Sequence, residues 1–241
     1  MSSLTNQKFL KVVLTSFESF INSKTSRSTQ KLKPLHGAIA KDIAARLGTQ
    51  YDIISQGYGE GKETKIQGRY IDKMVDITIL DAVTKTPVAG IAVKFVMQNY
   101  SQNSNNYFEN MLGETANIRT ADCPYFQIFI ILDKLPYYEN KGKIKHWEEF
   151  TDHNVKKYNI MSEDDVNMFF HTPNKTLIYV VHVTPEPKDI STKSEYMNFY
   201  ATHHPAVKLT SHTYDLKKGG TVIFNDYETF ADKIYHTVLA R

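Results

Sequence analysis

The sequence predicts an α/β fold in which a central mixed β-sheet is flanked by helices. Three observations carry that expectation. Residues 125–132 and 176–183 are near-continuous apolar runs, the pattern of strands buried on both faces. Segments 74–79 and 90–96 alternate apolar and other residues, as strands with two unlike faces do. Apolar residues at helical spacing, with capping signals, stand near both ends of the chain.

Taken in order, Phe9, Val12, Val13, Phe17, Phe20 and Ile21 mark an amphipathic helix that Thr5 or Asn6 can cap. Residues 23–33 break it. They are polar, and Lys24, Arg27, Lys31 and Lys33, with Lys11 before them, make a cationic stretch read either as a solvated loop or as a phosphate-contacting arm. Pro34 suits a first helical position, and Leu35, Ile39, Ile43 and Leu47 repeat every fourth residue until Gly48 stops the helix. A short strand is expected at 51–54. Gly57, Gly59 and Gly61 follow as a flexible lead, without the Gly-Lys-Ser/Thr ending of a phosphate-binding loop or the spacing of a dinucleotide fingerprint.

In the first alternating strand Asp76 falls between Val75 and Ile77, and in the second Lys94 falls between Val93 and Phe95, so Asp76 and Lys94 can share a face. Residues 81–87 carry turn chemistry that makes the two strands antiparallel neighbours. An amide-rich loop of Gln98, Asn99, Gln102, Asn103, Asn105 and Asn106 leads to a helix capped by Ser104 and running to about Arg119. Residues 137–170 are polar and aromatic, with Ser162 and Asp165 spaced like a capping box ahead of a short helix, and read as an inserted subdomain in a single domain spanning 1–241. The chain closes with a strand at 221–224 and a helix begun by Asn225, with Phe230, Ile234 and Val238 on one face.

A chain of 241 residues can bury one substantial core, and 41% hydrophobic with 23% charged residues excludes wholesale disorder. The formal charge of +3 tolerates a polyanionic partner without demanding one. Cys123 is the only cysteine, which excludes an intrachain disulfide and any multi-cysteine metal cluster and fits a reducing compartment. No signal-type apolar core and no run of 18 apolar residues occurs, so a cytoplasmic protein without a membrane partner is expected.

Hydrolysis of a phosphodiester needs charge neutralisation at phosphorus, a nucleophilic water and protonation of the leaving oxygen. Magnesium, a hard ion that takes one or two carboxylates, would find a natural ligand in Asp76 and another in the backbone carbonyl of Val93. Lys94 would then stand over the scissile phosphate or the attacking water. On Val75-Asp76-Ile77, on Ile91-Ala92-Val93-Lys94-Phe95 and on the helix that follows, the stretch resembles the PD-(D/E)xK nuclease superfamily, most closely its type II restriction endonuclease members.

The resemblance implies a restriction endonuclease-like core, with Asp76 a metal ligand, Lys94 the catalytic lysine and Mg2+ the cofactor. It also implies double-stranded DNA as substrate, cut at a specific sequence by a homodimer, and a companion DNA methyltransferase acting on the same site. Ala92 departs from the pattern, because a second carboxylate is expected two residues before Lys94. Some members carry that acid on the helix after the lysine strand, and Glu109 is similar to that arrangement. The expected catalytic set is therefore Asp76, Lys94 and Glu109, and the metal set Asp76, Val93 and Glu109. Glu114 and Glu63 are alternatives for the displaced acid. Inactivation at Ala92, natural or engineered, would instead leave a DNA-binding protein on the same fold.

The six amide side chains at 98–106 are the expected DNA contacts, since amides suit adenine edges and phosphates. Segments 137–170 and 188–218 are candidates for base reading. Three blander readings stand beside these: Asp76 and Lys94 as a plain ion pair, Glu109 as a solvated helix residue, and the whole chain as an interaction scaffold. His171, His182, His203, His204 and His212 could be gathered into a zinc site or supply a general base, but none has the i, i+4 spacing of a helical metal pair. Asp122 and Pro124 beside Cys123 would not activate it as a nucleophile.

Overall fold

The computed structural model describes residues 4–23, 29–216 and 219–241. Lys24 and Arg27 of the cationic stretch, and Lys217 and Lys218 at the end of the second candidate base-reading segment, lie outside the described residues. The elements run α1 (Asn6–Ser23), α2 (Lys33–Leu47), β1 (Tyr51–Ser55), β2 (Thr64–Gln67), β3 (Asp72–Val75), β4 (Ile77–Asp81), β5 (Pro87–Val96) and α3 (Tyr100–Arg119). They continue with β6 (Tyr125–Leu132), β7 (Lys134–Tyr138), β8 (Ile144–Glu149), α4 (Asp152–Ser162), β9 (Lys175–Thr184), α5 (Lys193–Thr202), β10 (Ala206–Leu209), β11 (Val222–Phe224) and α6 (Tyr227–Leu239).

The central sheet has the order β1-β4-β5-β6-β9-β10, with β11 also on β9. It is mixed. β5, β6 and β9 are parallel, while β1, β4 and β10 join it antiparallel. All eight residues of β6 are buried, as its apolar run requires of a strand covered on both faces. Its two faces meet different helices. Phe126 packs edge-on against Phe230 of α6, whereas Phe129, an odd number of residues away, packs on Tyr100 of α3 and Tyr158 of α4. On the next strand Tyr179 meets Phe9 of α1, which stacks on Tyr227 of α6. The sheet is thus flanked by helices on both faces, as the sequence predicts.

Several boundaries differ from the sequence reading, and the strand expected at 74–79 is split at Asp76 into β3 and β4. Helix α3 begins at Tyr100, four residues before Ser104, so most of the amide-rich segment is helical. Its cap is tertiary: Asn99 takes a left-handed conformation at φ 51°, and the Glu148 carboxylate of β8 accepts the N–H groups of Tyr100 at 2.7 Å and Ser101 at 3.0 Å. Ser162 ends α4 instead of capping a later helix, because a capping box of Thr151 and Asn154 starts that helix earlier. Helix α6 is capped by Asp226, which accepts the Thr229 N–H at 3.0 Å, while the Asn225 side chain accepts the N–H of Val180 in β9.

β7, which begins before the segment 137–170, and β8, which lies within it, form a separate two-stranded sheet. Helix α4 buries Val155, Tyr158 and Met161 in the main core. Among the described residues, no helix is long and apolar enough to cross a membrane.

Candidate metal and phosphodiester site

The site is built on a kink. β3 pairs with β2, and β4 turns away to pair with β1 and β5, leaving Asp76 alone between the two strands. Ser55, fully buried at the end of β1, donates its hydroxyl to the Asp76 carbonyl at 2.7 Å and fixes the turn. On the other side β4 begins at Ile77, opposite Ile91, so the edge of β5 beyond that pair has no strand partner at Val93. The Asp76 carboxylate takes the Val93 N–H at 2.7 Å. In an extended strand a residue's N–H and C=O leave on one edge, so the Val93 carbonyl faces the same side as Asp76.

Continuing each pairing by one residue shows what meets Asp76. β2 and β3 pair Thr64 with Val75, which sets Glu63 across from Asp76. β4 and β5 pair Ile77 with Ile91, which sets Ala92 across from it on the other flank. Ala92 packs on a small cluster of Ile66, Val75, Ile118, Cys123 and Tyr125, a setting that suits a methyl group.

Asp76, Ala92, Lys94, Glu109, Glu114 and Gln127 line one cleft of about 730 Å³. Burial raises the Asp76 carboxyl to about 6, opposed by the Val93 N–H and reinforced by the charge of Glu114, while Lys73 and Lys94 pull it back. Lys94 is exposed to this cleft, not enclosed by its strand, and its Nζ stands 4.4 Å from the Tyr107 ring centroid. Loss of bulk water between the cleft walls draws its pKa down, against the pull of Asp76 and Glu114.

The three acids considered for the missing carboxylate occupy different places. Glu114 pairs with Lys73 at 3.2 Å, accepts the Tyr125 hydroxyl, and is close enough to act on both Asp76 and Lys94. Glu63 has its pKa raised, first by desolvation and then by Asp76. Glu109 is exposed on the same cleft, and its charge acts on Lys157 of α4. The structure therefore brings Asp76, Val93 and Lys94 together as the sequence suggests, with Glu63 and Glu114 as the acids that sense Asp76.

One further residue completes this corner. Among the described residues, His36, Glu63 and Asp76 form the group whose ligand atoms lie within 4.8 Å of one another. His36 lies near the start of α2, which approaches the loop after β1 so closely that a Cβ at Gly37 would sit 2.4 Å from the Gly57 carbonyl oxygen. His36 is 2% exposed, and neither ring nitrogen has a hydrogen-bond partner. Burial lowers its pKa to about 4, opposed by Glu63, so the imidazole is neutral at physiological pH.

Sequence reasoning passed over His36 because it adjoins the apolar stripe of α2. It also passed over Gln127, whose buried Nε2 has no partner and which lies beside Ala92 across the β5–β6 pair. A signal for Gln127 existed: it is the one polar side chain that could not be apolar or tyrosyl in the run 125–132.

The amide residues divide. Asn99 is a splice to β7, donating to the Tyr138 carbonyl and accepting its N–H, and Asn103 donates to the Asn99 carbonyl. Gln98, Asn99 and Gln102 line a second concavity with Lys141, Lys145 and Lys193. Asn105 and Asn106 are exposed on α3. Lys31 links the two concavities electrostatically: burial first, and then the charges of Lys94 and Lys193, lower its pKa to about 8.

Fold and site together define a mixed α/β protein with an acid and lysine cleft at the edge of a parallel strand. Compared with known proteins, the chain matches no family model, no curated protein and no solved structure. What it does must be argued from the site.

Proposed function

We propose that the chain is a divalent-metal-dependent endodeoxyribonuclease of the type II restriction kind, hydrolysing phosphodiester bonds of double-stranded DNA. The observation that carries this reading is the Asp76 carboxylate, fixed by the Val93 N–H at 2.7 Å, in one cleft with the Lys94 ammonium. Asp76, the Val93 carbonyl and an acid from Glu63, Glu114 or Glu109 are oxygen donors that fit Mg2+. A divalent ion bound there supplies charge neutralisation and acidifies water. The chain's own groups do the rest. Lys94, steered by Tyr107, stabilises negative charge developing at phosphorus.

The lysines at 31, 94 and 193 form a positive run from this cleft to the concavity lined by Gln98, Asn99 and Gln102, a path for a phosphate backbone. With this reading go a homodimer for a symmetric site, a companion methyltransferase and a cytoplasmic location. A second reading, a DNA-binding protein without catalysis, is favoured by one observation: a methyl group occupies position 92 on the cleft. The test is incubation of plasmid and phage DNA in magnesium, calcium or EDTA with the wild type and Asp76→Ala, Glu63→Gln, Glu109→Gln and Glu114→Gln. Discrete fragments lost in Asp76→Ala support the nuclease, and the glutamine variants identify the second acid. Calcium-dependent binding without cutting supports the second reading. No binding at low salt overturns both.

A further inference from the structure

We propose that His36 is a ligand of the cation held by Asp76 and Glu63, so that the centre selects a first-row transition ion, such as Mn2+, over Mg2+. The proposal takes the metal site at Asp76 from the nuclease reading. It does not need cleavage to be tested.

Three features of the chain lead here. Ligand atoms of His36, Glu63 and Asp76 lie within 4.8 Å of one another. Bonds of about 2.0–2.2 Å to a shared ion place ligand atoms roughly 3 to 4.4 Å apart, so only a small contraction is needed. His36 is 2% exposed with both ring nitrogens buried and unpartnered, and a buried polar ring left without a partner is costly. A metal bond would satisfy one nitrogen. The close approach of Gly37 to Gly57, with space for no side chain between them, holds the ring at this depth against the sheet.

The donor set decides the ion. Mg2+ prefers oxygen and parts with its waters reluctantly, so an imidazole adds little to its binding. Later first-row ions accept imidazole nitrogen readily and bind mixed nitrogen and oxygen sets in rising order from Mn2+ to Cu2+. Two carboxylates and one imidazole make a centre for those ions, and of the three Asp76 also faces the cleft that Lys94 lines.

The experiment is titration calorimetry of the full chain with Mn2+ and, separately, Mg2+, in wild type and His36→Leu, with a melting curve to establish that the variant is folded. The wild type is expected to bind Mn2+ at least tenfold more tightly than Mg2+. His36→Leu is expected to lose at least tenfold in Mn2+ affinity while Mg2+ affinity changes less than threefold. Electron spin-echo spectra of the Mn2+-loaded wild type provide a second readout that needs no variant, and should show modulation from a directly bound imidazole nitrogen. Equal affinities in the wild type, unchanged Mn2+ binding in a folded His36→Leu, or no nitrogen modulation would overturn the proposal. A chain that binds Mn2+ through His36 yet neither cuts nor binds DNA would leave this inference standing and remove the nuclease reading.

Discussion

Asp76→Asn should make the metal-free protein more stable at neutral pH. The native carboxyl is raised from 3.8 to about 6 by burial. At low pH the group is protonated in both states. As the pH rises past about 3.8 the unfolded chain releases its proton while the folded chain keeps it, so stability is lost until the folded group ionises near 6. The stability is fully present below about 3.8 and gone above about 6. A difference of about two units at about 1.36 kcal/mol each sets the loss at about 3 kcal/mol, an upper figure since water in the cleft eases the burial. Asparagine cannot ionise, and its amide oxygen can still accept the Val93 N–H. With about 2–4 °C per kcal/mol for a chain of this size, Asp76→Asn should melt several degrees above wild type in EDTA at pH 8. The gap should close at pH 4. A variant that melts at or below wild type at pH 8 would refute the reasoning, because Asp76 would then not be a carboxylate held at a cost.

Other outcomes follow from single contacts. Glu148→Ala strips the tertiary cap from α3 and leaves two N–H groups unpaired, so it should cost about 1–3 kcal/mol, read from urea melts. Gly37→Ala forces a methyl against the Gly57 carbonyl and should destabilise by about 1–3 kcal/mol while weakening metal binding, since α2 must back away with His36. Lys94→Met should keep the melting temperature and lower the cleavage rate by about 10²–10³, the usual loss for one electrostatic donor, measured in single turnover. Cys123 is buried and its thiol is pushed up to about 11, so it should react with a disulfide reagent only on the timescale of unfolding, followed by absorbance.

Much of the scaffold was legible because hydrophobic period is a local property. The buried run of β6 and the apolar stripes of α1, α2 and α6 fall where their spacing places them. Asp76 and Lys94 were legible as a pair because alternation and a hairpin turn bring Asp76, immediately before β4, beside the strand that carries Lys94. What escaped depended on distant partners. The start of α3 is set by Glu148, 48 positions from Tyr100, and no feature of the Asn-rich segment announces that carboxylate. His36 escaped for a similar reason: it comes to Asp76 through packing of α2 on the Gly57 loop, a relation between elements that no spacing encodes. Glu109 and Glu114 lie on one helix within reach of the same cleft by sequence distance, and only the pairing of Glu114 with Lys73 and Tyr125 tells their surroundings apart.

The most direct measurement is cleavage of a phage DNA by equal amounts of folded wild type and Asp76→Ala, each with Mg2+, Mn2+ or EDTA. Discrete fragments from the wild type in a divalent ion, none in EDTA and none from Asp76→Ala are the predicted result. Fragments from Asp76→Ala at the wild-type rate, or intact DNA in every lane, would contradict it.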